Sequence, residues 1–413
     1  MPLHAELHHV IYALSDALDL VGVDDVAHGK RVGIMAAECA KRLGMPQAEV
    51  DFLFDLGMLH DIGVSSTQTH QHLVAEFDWA GSQQHTVVGW DLLRGFAPLA
   101  RMALPVRYHH TRWSDLVLKT EVPRDVALQA NLVFLTDRVD TLAAPYMADN
   151  AVLQNSGQIR AEIERRSGSF FAPELVAAFL QASLTEAFWL LLEPRATQAY
   201  LQDQLQRTSA SRATMAELKG VARLFARIVD AKSPFTSEHS QGVAALARFL
   251  AEHMHVSPAN CDKIEVAGLL HDLGKLRVPD EILDKPGRLD PRERQIINAH
   301  SFETFQILRH IKGFEEVAPW AAYHHEEPGG SGYPFHLNGE TLALEARILR
   351  VADIFQAMVQ DRPYREGLSR EQALAFLHEL ADAGRVDAEV VQVLARHSEG
   401  ALLAARPVST PRH

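Results

Sequence analysis

Seven metal-capable residues occur twice in this chain, in one order and at nearly constant spacing. His28 stands 211 residues before His239, and His60-Asp61 the same distance before His271-Asp272. After an insertion of four residues the offset becomes 215, pairing His85 with His300 and His109-His110 with His324-His325. One residue more sets Asp137 opposite Asp353. Ala5-Glu6-Leu7 against Ala216-Glu217-Leu218, and residues 169–180 against 384–395, carry the match toward both ends of each copy. One such match is within chance, but seven in register mean duplication. A chain of 413 residues then folds as two copies of one domain, each of about 200 residues. We place these domains at 1–205 and 206–413.

Both halves are patterned for helix. Residues 217–231 (ELKGVARLFARIVDA) set Leu218, Val221, Leu224, Phe225, Ile228 and Val229 on one stripe, the 3.6-residue period of an amphipathic helix. Ser369, with Glu371 and Gln372 close behind, marks a helix start. No series of alternating strands is present, so the expected fold is all-α, two tandem helical domains related by duplication. Residues 181–213 read as a helix followed by a linker, and those from 398 as a short helix and a frayed end.

Composition narrows the function classes. The formal charge of -13 opposes a sequence-independent grip on long nucleic acid, which needs cationic surface along the phosphates. Cys39 and Cys261 are the only cysteines, too few for a disulfide framework or a thiolate zinc site. No apolar run reaches the length of about 18 residues that spans a membrane, and MPLHAELHHV lacks a signal-peptide pattern. The expectation is a cytoplasmic protein with no membrane contact. Histidine is the anomaly, with 22 in the chain.

His239, His271, Asp272, His300, His324, His325 and Asp353 carry the chemistry of the second half. Neutral imidazole and carboxylate suit iron, manganese, nickel or zinc, and the lack of thiolates disfavours a structural zinc. Neighbouring His271 and Asp272 diverge by about 100° on a helix, yet they converge if Asp272 reaches across between two ions while His271 binds one. A carboxylate bridging two cations is a standard hydrolytic centre. His4, His8, His9, His70 and His72 match no ligand position and read as exposed polar residues.

The text around these residues is TSEHSQGV at His239, HDLGK at 271–275, HHEEPGGSGYP at 324–334 and VADIFQAMVQDRPYR at 351–365. In these motifs residues 214–395 resemble the HD-GYP subgroup of the HD phosphohydrolases. The resemblance implies an all-helical fold and hydrolysis of a cyclic dinucleotide, cyclic di-GMP or 3',3'-cyclic GMP-AMP, to the linear dinucleotide. It implies that His239, His271, Asp272 and Asp353 hold one metal, and Asp272, His300, His324 and His325 the other. A hydroxide generated between the ions would attack phosphorus in line with the departing ribose oxygen. Catalysis then falls to Asp272 and Lys275, the lysine meeting a non-bridging phosphate oxygen. Gly332, Tyr333, Arg362 and Arg365 are the further substrate-binding candidates. The GYP loop is also where the resemblance implies contact with a signalling partner protein. The sequence departs from the family in Phe235, where tri-metal members carry Glu, in Gly242, where Arg is usual, and in Pro328-Gly329, where Trp-Asp is usual. Two metals, not three, are expected, and these departures bear on substrate identity.

The first half keeps the second metal site: His28, His60, Asp61, His85, His109, His110 and Asp137. Val64 stands where the other half has Lys275, and Thr111 where it has Glu326, with no GYP run. This half is expected to bind metal without cutting cyclic dinucleotides. Three fates remain: a regulatory sensor, a second phosphohydrolase acting on a terminal phosphate of the linear product, or packing in a homodimer. For the whole chain the alternatives are a non-catalytic cyclic-dinucleotide or partner-binding signalling module, and a nucleotide phosphomonoesterase.

Overall fold

The apolar stripe at 217–231 folds as its period dictates. In the computed structural model it lies in the helix Met215–Lys232, whose Leu218, Val221, Leu224, Phe225, Ile228 and Val229 are all buried. The structure describes residues 5–22, 27–207, 212–232, 239–361 and 366–406. Among these every regular element is an α- or 3₁₀-helix, with only isolated β-bridges besides. No helix is long and apolar enough to cross a membrane. Ser369 caps the helix Arg370–Asp382 through a capping box with Gln372.

The chain divides into two compact units, Leu18–Ser209 and Met1–Ala17 with Ala210–His413. The expected boundary at 205/206 falls inside the helix Pro194–Arg207. That helix belongs to the first unit, where Tyr200 packs against Phe54 at 5.7 Å and Gln204 Nε2 donates to Asp51 Oδ1 at 2.5 Å. Residues 5–17, expected with the first domain, group with the second unit instead. Glu6 pairs with Arg212, and the Ala213 N–H donates to the Ala5 carbonyl at 2.9 Å. The helix expected early in 181–213 is present as Glu186–Leu190, but much of the stretch read as linker is helical too, in Pro194–Arg207.

Within each unit two helices cross where a glycine lets their backbones meet. A Cβ on Gly57 would lie 2.6 Å from Gly33 Cα, and one on Gly268 would lie 2.7 Å from Ala244 Cα. The crossing fixes the helices Gln47–Leu59 and Pro258–Leu270, which deliver His60 and His271 at their C-caps. Fully buried Phe54, Phe134, Phe171 and Phe179 fill the core of the first unit, and Phe225, Phe314 and Phe355 that of the second.

Candidate metal centres

The ligand candidates of the second unit sit at helix ends and on one helix interior. His239 opens the helix His239–His253, and His300 opens His300–Leu308. His324 and His325 follow Val317–Ala322, and Asp353 lies within Leu344–Val359. His271 ends its helix, and Asp272 starts a 3₁₀ turn, Leu273–Arg277, at φ -95 and ψ 9. The backbone thus turns between the two neighbours, which is how both reach one point.

Asp272 divides its oxygens between two groups of imidazoles. Oδ2 lies 3.6 Å from His239 Nε2 and 3.3 Å from His271 Nε2. Oδ1 lies 3.5 Å from His300 Nε2 and 3.8 Å from His324 Nε2. Asp353 Oδ1 joins the first group, 3.3 Å from His239 Nε2. Three clusters able to hold a metal result: His239, His271 and Asp353; His271, Asp272 and His324; and His300, His324 and His325. All seven expected ligands are brought together.

The donor chemistry fits divalent cations. His300 Nδ1 lies 2.6 Å from the Ile297 carbonyl and His324 Nδ1 lies 2.7 Å from that of Ala321, so each neutral ring turns an unprotonated Nε2 inward, that of His300 with Ser301 Oγ 3.3 Å away. Those two nitrogens stand 3.2 Å apart, an arrangement of facing lone pairs that a cation between them would relieve. His271 Nε2 and Asp272 Oδ1 are buried without a hydrogen-bond partner. Burial holds His300 down at about 4, leaving it a neutral donor. Burial also works against a charge on His271, yet the Asp272 and Asp353 carboxylates pull it up to about 9; this spot demands positive charge.

Lys275 reaches the same carboxylate, its Nζ 2.5 Å from Asp272 Oδ2. Burial opposes its charge, but Asp272 holds the ammonium above the ordinary lysine value. Tyr333 stacks on His325 with ring centroids 4.8 Å apart, and its N–H donates to the His325 carbonyl at 3.2 Å. Burial first, then the two ligand carboxylates, push its phenol up. Gly332 is buried rather than open to a ligand, since a Cβ there would lie 2.3 Å from Glu327 N and 2.4 Å from Glu326 Cα. Arg362, Arg365 and Phe235 lie outside the described residues.

Sequence reasoning missed what fastens the loop. Glu326 is buried and accepts from Phe335 N at 2.6 Å and Leu337 N at 2.9 Å. Glu327 accepts from Arg350 at 2.7 Å, Arg385 at 3.0 Å and Ser331 Oγ at 2.5 Å. The two glutamates follow the paired histidines directly, so loop and ligands are anchored through one short stretch.

The first unit repeats the geometry. Asp61 Oδ1 lies 3.2 Å from His85 Nε2 and 3.6 Å from His109 Nε2, while Oδ2 lies 3.4 Å from His60 Nε2 and 3.9 Å from His28 Nε2. Asp61, His85, His109 and His110 form one cluster and His28, His60 and Asp137 another. Gly63 and Gly274 do the same work in the two copies: a Cβ on either would stand 2.1 Å from the carbonyl oxygen of His85 or His300. Arg138 differs, donating to Asp137 Oδ2 at 2.8 Å and to the carbonyls of Leu73, Glu76 and Phe77 at 3.0, 2.7 and 3.1 Å. His70, expected to be exposed, is buried, because the helix Thr67–Ala75 lays its ring edge-on 6.4 Å from that of His28. A plain offset comparison, Asp140 against Gln356 and Arg31 against Gly242, would have exposed the differing supports of the first histidine.

The chain matches the HD domain family twice, over residues 26–142 and 223–390. It is 37% identical over 401 residues to the 3'3'-cGAMP-specific phosphodiesterase 1 of Vibrio cholerae serotype O1, covering 96% of this chain and 93% of that protein. A cyclic di-GMP phosphodiesterase response regulator of Xanthomonas campestris is 37% identical over 183 residues, 44% of this chain and 48% of that one. A crystal structure of a cyclic GMP-AMP specific phosphodiesterase of V. cholerae superimposes with a TM-score of 0.64 at 25% identity, covering 96% of this chain and 98% of that chain. With two HD domains, a GYP loop in the second and a relative matched along nearly its whole length, the chain belongs to the HD-GYP family of HD-domain phosphohydrolases.

Proposed function

We propose that the second unit hydrolyses a cyclic dinucleotide to the linear dinucleotide, using two divalent ions, iron or manganese, held by His239, His271, Asp272, His300, His324, His325 and Asp353. The observation that carries this is the sharing of Asp272 between two imidazole groups, with Lys275 and the GYP loop beside it. Ions so placed supply a nucleophile at neutral pH and shield the phosphate. Asp272 holds both ligand groups in register. Lys275 offers an ammonium to a non-bridging phosphate oxygen as charge builds there. Tyr333, stacked over His325, walls the site, and Gly332 lets the loop lie against the ligand backbone. Arg362 and Arg365 are the candidates for the second phosphate or a guanine edge.

The substrate we favour is 3',3'-cyclic GMP-AMP, because a relative matched over 96% of this chain is named for it. Cyclic di-GMP is the second candidate, from a relative matched over less than half. In the first unit the same ligand geometry lacks the lysine and the loop, which supports metal binding with a regulatory role or a separate phosphohydrolase activity. The test is to incubate the full chain with manganese or ferrous iron and each cyclic dinucleotide in turn, then separate the products. Linear dinucleotide is expected; intact substrate with every compound and both metals refutes the reading.

A further inference from the structure

The two copies support their first histidine in chemically different ways. In the first unit His28 Nδ1 lies 2.7 Å from Asp140 Oδ2, and Arg31 clamps that carboxylate through Nε at 2.7 Å and Nη2 at 2.8 Å. All three residues are buried. The same offsets place Gln356 opposite Asp140 and Gly242 opposite Arg31. His239 Nδ1 accordingly lies 2.6 Å from Gln356 Oε1. With that amide oxygen as acceptor, Nδ1 carries the proton and Nε2 faces the Asp272 and Asp353 oxygens.

No side chain fits where the arginine would be. A Cβ on Gly242 would stand 2.6 Å from the Ala405 carbonyl oxygen and 2.9 Å from Gln356 Nε2, so both polar atoms crowd that one point. Ala405 ends the helix Ser398–Ala405, whose last carbonyls lack partners within the helix and carry its negative end. An amide NH₂ is a donor suited to that end. A carboxylate at 356, without its guanidinium, would be a buried charge with no counter-cation, whereas the amide is neutral. The C-terminal helix is held there closely. A Cβ on Gly400 would lie 2.8 Å from the Phe249 ring. Arg406 Nη2 donates to the Val359 carbonyl at 3.0 Å, the end of the helix that bears both Asp353 and Gln356.

We propose that Gln356 is a positioning residue for His239 and that the carbonyl end of the C-terminal helix backs it, replacing the charged Asp140–Arg31 support of the first unit. The proposal rests on the reading of the second cluster as a metal site. Metal attachment in this unit is thereby tied to the docking of the helix Ser398–Ala405.

The test measures manganese retained by the full chain against graded chelator, in an Asp61→Ala background so that the second unit is the holder. Gln356→Leu should weaken retention about 10- to 100-fold, the range for losing a ligand's outer support. A chain ending at His397 should weaken it similarly, and adding Gly242→Arg with Gln356→Asp to that shortened chain should restore it. The rescue is a result that a merely structural role for the helix would not give. If the shortened chain loses helicity, Gln356→Leu alone decides. Wild-type retention in Gln356→Leu, or in a folded shortened chain, overturns the proposal. A parent chain that takes up no manganese overturns instead the metal reading beneath it.

Discussion

Replacing Lys275 with Met removes one cation, keeps the apolar stem and leaves every proposed ligand in place. In the structure the ammonium lies 2.5 Å from Asp272 Oδ2, and the lysine side chain is 22% exposed where that of Asp272 is 3%. The lysine therefore joins the buried shared carboxylate to a side chain that is partly open to solvent. At that distance the Coulomb attraction is about 7 kcal/mol for an effective dielectric near 20, most of it offset by desolvation. Asp272 would hold the ions through both oxygens, and Lys275 would then be free to offer its ammonium to a phosphate oxygen. Losing one such preorganised donor lowers kcat about 10²- to 10³-fold, or about 2.7–4 kcal/mol. Metal content should be unchanged or higher, because Asp272 loses a competitor. Product separation gives kcat, and elemental analysis on the same sample gives the metal. A Lys275→Met protein that has lost its metals, or one with wild-type kcat, refutes the assignment.

Asp272→Ala should abolish hydrolysis of cyclic dinucleotides and deplete the second unit of metal while the first unit keeps its own; persistence of cyclic dinucleotide cleavage would mean that the first unit also cuts it. Gly332→Ala, whose new Cβ meets Glu326 and Glu327 backbone at 2.4 and 2.3 Å, should displace the loop and raise KM about tenfold or more, roughly 1.4 kcal/mol, with metal content unchanged. Glu326→Ala leaves the partly buried N–H groups of Phe335 and Leu337 without their acceptor, at up to roughly 1–3 kcal/mol each. Thermal unfolding should report that loss as a fall of several degrees in Tm, and an unchanged Tm would count against the anchoring role.

Much of the site could be read from the sequence because its ligands repeat. Order and spacing sufficed to pick out fourteen residues that the structure gathers into two sets of clusters. The apolar period at 217–231 and the cap at Ser369 were equally legible, since both are local signals. What escaped notice depends on partners far apart in the chain. Arg138 belongs to no motif, and the carbonyls of Leu73, Glu76 and Phe77 that hold it lie more than 60 residues earlier in the chain. His70 reads as polar surface until its helix is laid against His28. Periodicity tells which face a residue occupies, not what it meets there. Ala5-Glu6-Leu7 repeat Ala216-Glu217-Leu218, yet likeness of sequence does not decide which core a segment joins.

The contact of Gly63 with His85 and of Gly274 with His300 bears on how the copies could diverge. It clamps the turn after each His-Asp pair to the third histidine, so the chain between them leaves from and returns to one fixed point. The four-residue insertion lies in that interval. Closing a longer loop adds little entropy, about 0.6 kcal/mol for each doubling of length. The ligand frame is alike in both units while this interval differs: it holds His70 on a helix against His28 in the first, and the short helices Asp280–Leu283 and Pro291–Asn298 in the second. A duplicated ligand frame with an insert between clamped ends lets the surroundings of each site change without moving its ligands.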